Sequence, residues 1–67
     1  MIGENIQQIR KKMGMNQLEF SKLLYIDQSS LSRYENGRYV PGVDVLLKVA
    51  KLADISLQDL LDENYNL

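Results

Sequence analysis

The stretch "NQLEFSKLLYIDQSSLSRYENG", residues 16 to 37, decides the fold. Asn16 is a favoured N-cap type, and Glu19 three positions later completes a capping-box pair. A short helix is predicted over about 17–24, with Phe20 and Leu24 on one face. Asp27 is the next N-cap. The helix it opens, about 28–36, turns Leu31 and Tyr34 inward and ends at Asn36-Gly37. Its outward face is polar: Gln28, Ser29, Ser32 and Arg33. Two short helices thus meet at a three-residue turn, and the second shows a row of hydrogen-bonding side chains to solvent.

Working outward, apolar residues keep helical spacing. Ile2, Ile6, Ile9 and Met13 mark one face of a first helix, which Gly14 stops. After Gly37, "GRYVPG" reads as a loop. A fourth helix over about 43–53 carries Val43, Leu46, Leu47, Ala50 and Ala53. Ser56 caps a fifth, with Asp59 at the reciprocal position and Leu60 and Leu61 as anchors. Period-two alternation is absent, so no strand is expected. The prediction is one all-α domain over 1–67, five helices with short connections and the second and third as a helix-turn-helix. Asp59, Asp62 and Glu63 oppose the dipole at the last helix end, so 61–67 is expected to fray. These carboxylates fit a solvated helix end better than a metal or acid/base cluster.

Composition narrows the function. A chain of 67 residues buries only about 60% of its unfolded surface. It contains no cysteine and no histidine, which removes the thiol nucleophile, the commonest general base and the commonest metal ligand. No phosphate-cradling glycine loop is present, so neither an enzyme nor a cofactor is expected. The longest apolar run, "LLYI" at 23–26, is far too short to span a membrane. The first twelve residues hold no continuous apolar segment, so a cytosolic protein is expected. The net charge of −1 is not the balance of a typical nucleic-acid binder. It divides unevenly, however. Residues 1–38 hold six Lys and Arg against four Asp and Glu, and residues 39–67 hold two against five. The half with the polar helix face is the basic one, and local potential steers better than net charge.

The 16–37 stretch resembles the signature of the phage-repressor-type helix-turn-helix family, also called the Cro-type or xenobiotic-response-element family. Pro41 and "LLKVAKLADISLQDLL" at 46–61 are similar to that family's last two helices, so the resemblance runs from Ile2 to Leu61. It implies that the third helix lies in the major groove of double-stranded DNA, with Gln28, Ser29, Ser32 and Arg33 toward base edges. It implies phosphate contacts from Asn16 and Gln17 at the start of the second helix and from Asn36 and Arg38 after the third. It also implies an ion pair between Arg10 and Glu35 that is structural in role. Tyr25 departs from the pattern by standing where the family favours glycine; a positive φ there would cost roughly 1 kcal/mol. Ser21 replaces a packed alanine, Leu52-Ala53 inverts the usual order, and Asp27 places a carboxylate near the reading surface.

The chemistry of these side chains suits that expectation. Arginine forks onto guanine, glutamine pairs with adenine, and serine contacts several bases with little discrimination. An excess of two positive charges in the basic half is modest, so useful affinity is expected from a homodimer on a two-fold operator. Lys11, Lys12 and Lys22 add diffuse attraction. Taken alone, a polar helix face is merely solvated, and a second class stays open: a protein-docking module whose acidic second half binds a basic partner, or an antitoxin that also binds a protein partner. In that class, removing Arg33 or Gln28 leaves partner binding intact.

Overall fold

Asn16 starts the second helix as its side chain predicts. In the computed structural model, which describes residues 1–62, its carboxamide oxygen accepts the Glu19 N–H at 2.8 Å, and the Glu19 carboxylate accepts the Asn16 N–H at 3.0 Å. Five helices follow one another: α1 (Ile2–Lys12), α2 (Gln17–Leu23), α3 (Gln28–Glu35), α4 (Val43–Ala53) and α5 (Leu57–Leu61). No strand occurs among the described residues, so the all-α expectation holds. No helix among them is long and apolar enough to cross a membrane. The fraying expected over 61–67 falls mostly on residues 63–67, outside the described ones.

Side-chain caps fix where α2, α3 and α5 start. Asp27 accepts the Ser30 N–H, and Ser56 accepts the Asp59 N–H, although Asp59 makes no return bond and the second capping box is only half formed. The helices stop in one repeated way. After α1, α2, α3 and α4, a residue with positive φ turns the chain back: Gly14 at 70°, Tyr25 at 58°, Gly37 at 76° and Asp54 at 56°. The next amide then bonds to the carbonyl five residues back, as Ile26 does to Ser21 at 3.1 Å and Ile55 to Ala50 at 3.0 Å. Met15, Ile26 and Ile55, which follow three of these reversals, pack against the core.

The core gathers Ile6 and Ile9 from α1, Phe20 and Leu24 from the α2 region, Leu31 from α3, Val45, Leu46, Val49 and Ala50 from α4, and Leu60 from α5. α1 packs on α3 and α5, α2 packs on α3, and α4 packs on α5. Several expected core positions are corrected by this packing. Met13 is the exposed C-cap of α1, because Gly14 ends the helix before that position can turn inward. Val43, Leu47 and Leu61 are exposed, whereas Val45 and Val49 are buried. α4 is apolar around most of its circumference, so its neighbours select the face that turns inward.

Two close approaches set the position of α1. A Cβ on Gly3 would lie 2.4 Å from the Tyr34 carbonyl oxygen and 2.8 Å from that of Glu35, so only glycine lets α1 lie this close to the end of α3. The buried Asn5 amide donates to the Leu60 carbonyl at 2.8 Å and to that of Asp62 at 3.1 Å, satisfying carbonyls at the end of α5.

Candidate nucleic-acid interface

α3 is divided along its length. Leu31 and Glu35 are buried and Tyr34 packs against the core, which leaves Gln28, Ser29, Ser32 and Arg33 on the outer side. Gln17 from α2, with Asn36 and Arg38 beyond α3, joins these four around one groove of about 430 Å³. All seven lining residues were singled out from the sequence. Asn16, the eighth residue proposed to touch DNA, does not line the groove, and its side-chain oxygen is occupied by the cap.

A buried ion pair lies behind the groove. Arg10 Nε donates to Glu35 Oε2 at 2.8 Å, and its Nη2 donates to Oε1 at 3.0 Å, a bidentate fork. The Glu35 side chain is fully buried and that of Arg10 nearly so. Arg10 Nη1 also donates to the Met15 carbonyl at 3.0 Å, so the guanidinium ties the end of α3 to the α1–α2 connection. Gln17 Nε2 donates to Glu35 Oε1 at 3.2 Å. A carboxamide nitrogen carries two hydrogens. Gln17 therefore retains one N–H for a ligand while the other fixes its orientation.

Asp27, the exposed carboxylate that precedes the reading face in sequence, is turned aside. It accepts the Ser30 hydroxyl at 2.7 Å and the Ser30 N–H at 3.0 Å. These two bonds, the hydroxyl first, hold its carboxyl below the ordinary carboxylate value, with a smaller contribution from the Arg33 charge. Asp27 thus stays ionised at the positive end of α3 instead of competing in the groove. Ser30, which makes this possible, was missed in the sequence; its position three residues after an N-cap aspartate was the available signal. Asn36 Nδ2 reaches Ser32 Oγ at 3.4 Å, a long bond that a better acceptor would displace.

The groove is therefore lined by donors: an arginine on α3, a second arginine after it, three carboxamides and two hydroxyls. Negatively charged or carbonyl-rich surfaces fit it. Nothing in its wall favours an apolar ligand.

Similarities to other proteins agree with this geometry. The family model described as Helix-turn-helix matches residues 6–60. The chain is 36% identical over 64 residues to the antitoxin PezA of Streptococcus pneumoniae, covering 96% of this chain and 40% of that protein. It spans half or less of the length of the first curated relatives it matches. Its structure superposes on the P22 c2 repressor in complex with a synthetic operator with a TM-score of 0.85 at 26% identity, covering 96% of this chain and 97% of that one. It superposes on the N-terminal DNA-binding domain of SinR from Bacillus subtilis with a TM-score of 0.85 at 34% identity, covering 98% and 97%.

Proposed function

This chain belongs to the helix-turn-helix family, and we infer from that membership and from its groove that it binds double-stranded DNA sequence-specifically as a transcriptional repressor. The observation that carries the reading is the convergence of Gln17, Gln28, Ser29, Ser32, Arg33, Asn36 and Arg38 on one donor-lined groove. α3 enters the major groove. Arg33 forks onto a guanine, Gln28 pairs with an adenine, and the serines fill in beside them. Gln17, Asn36 and Arg38 take backbone phosphates and set the register, with Asn16 contributing its remaining amide hydrogens. The protein acts by binding alone, without a cofactor and without catalysis, in the cytosol.

The active species is a homodimer on a palindromic operator. The basic half carries an excess of only two positive charges, too few for one copy to hold DNA tightly at physiological salt. Two copies double the phosphate contacts and read two half-sites one helical turn apart. The operator-bound structure of the similar P22 c2 repressor supports the DNA reading. PezA is named an antitoxin, but 60% of its length lies outside the match, so toxin binding stays the second reading.

The test is a fluorescence-anisotropy titration against a pool of random duplexes, with selection of the bound fraction at two salt concentrations. A recovered palindromic consensus with steeply salt-dependent affinity is the expected result. Salt-dependent binding without a consensus would reduce the function to gripping the DNA backbone. No binding at low salt would overturn the reading.

A further inference from the structure

The turn between α2 and α3 holds an unexplained side chain. Tyr25 has a φ of 58°, a left-handed conformation that glycine adopts freely and tyrosine does not. The residue is 84% exposed, so burial does not offset the strain. The ring's neighbour is the Lys48 ammonium, 5.0 Å from the centroid, which also donates to the Leu24 carbonyl at 3.4 Å. A strained residue that contributes little to the core points to a task at the surface.

The surroundings indicate that task. Lys48 also lines a cleft of about 380 Å³ together with Leu23, Lys51 and Leu52. Leu23 and Leu52 are exposed at 40% and 37%, one on α2 and one on α4, and both border the cleft. Lys48 and Lys51 stand three apart on α4 and so share a face, and neither ammonium has a described carboxylate within ion-pair distance. The cleft shares no residue with the donor-lined groove. Its lysines suit phosphate and carboxylate alike, but its leucine walls suit apolar side chains, which a protein helix carries and a phosphate backbone does not.

We propose that Leu23, Tyr25, Lys48, Lys51 and Leu52 form a docking surface for an acidic amphipathic helix of a partner protein. Apolar side chains spaced one turn apart on that helix enter between Leu23 and Leu52, and the exposed Tyr25 ring covers them. Carboxylates one turn apart meet Lys48 and Lys51 at the rim. The Lys48 contact holds the Tyr25 ring in place before the partner arrives, which limits the ordering lost on binding. Because the two sites share no lining residue, the partner docks whether or not the DNA groove is occupied.

The experiment selects a phage-displayed library of helical peptides against the immobilised chain. Recovered peptides are then titrated by anisotropy against wild type, Tyr25→Gly and Lys51→Glu, with circular dichroism confirming that both variants fold. Glycine suits the left-handed turn, so Tyr25→Gly removes the ring without disturbing the backbone. The expected peptides carry carboxylates beside apolar residues at helical spacing, and each variant weakens them at least tenfold while binding a random-sequence duplex as wild type does. Recovery of no peptide, of peptides lacking carboxylates, or of peptides that bind the variants as tightly as wild type would overturn the proposal. A loss of duplex affinity in either variant would also overturn it and assign the surface to DNA.

Discussion

Gln17 Nε2 and Glu35 Oε1 are bonded at 3.2 Å, and the same carboxylate oxygen receives Arg10 Nη2 at 3.0 Å. A residue of the proposed DNA groove is therefore fastened directly to a buried ion pair. Fold stability and ligand geometry share one carboxylate, so a change behind the groove is felt within it.

Removing the cation separates the two effects. Arg10→Met leaves the fully buried Glu35 carboxylate with Gln17 as its remaining side-chain partner. The expected loss is about 3–5 kcal/mol in urea unfolding, because the stranded charge keeps its desolvation cost. The double variant Arg10→Met/Glu35→Leu should recover much of that loss. A single-variant loss below about 1 kcal/mol would show that the charge is not stranded.

Gly3 tests the α1–α3 approach. On helix propensity alone, Gly3→Ala should stabilise by about 1 kcal/mol. The new methyl would instead meet backbone carbonyl oxygens of Tyr34 and Glu35 at 2.4 and 2.8 Å, and backbone does not move as cheaply as a side chain. The expected net effect is a loss of about 1–3 kcal/mol, visible as a lower Tm. A raised Tm would mean that α1 sits farther from α3.

Asp27 predicts a pH dependence. Its folded pKa lies below the ordinary value, chiefly through the Ser30 hydroxyl and amide. Its stabilising contribution is therefore complete above the unfolded carboxylate range and is lost as pH falls through the lower folded value. Asn caps helices as well as Asp but does not titrate here. Urea midpoints of wild type and Asp27→Asn, followed from pH 6 to pH 3, should converge or cross in the acid range. A constant separation over that interval would contradict the assignment.

The two arginines at the groove should behave differently. Arg33→Ala is expected to cost about 1–3 kcal/mol on the selected site and to relax one base position. Arg38→Ala should weaken all duplexes alike and lower the salt slope by about 1. Titrations of both variants on matched and mismatched duplexes at several salt concentrations distinguish these roles. Identical profiles for the two would mean that neither reads a base.

Much of the fold and most of the candidate site were legible along the chain. The starts of α2, α3 and α5 are set by a side chain and an amide three residues apart, at Asn16, Asp27 and Ser56. Such interactions depend on neighbours in sequence, so they are visible before folding. The polar face of α3 was visible for the same reason, because residues one turn apart share a side of any helix. The rotation of α4 was not legible. With apolar residues nearly all around it, only contact with α5 and the rest of the core decides that Val45 and Val49 turn in and that Val43 and Leu47 stay out. Tertiary structure alone also shows that Gly3 must lack a side chain and that Asn5 binds the end of α5, 55 residues away. Sequence determined the local elements of this protein because their energetics are local. Their rotation and approach were decided only by surfaces that meet when the chain closes on itself.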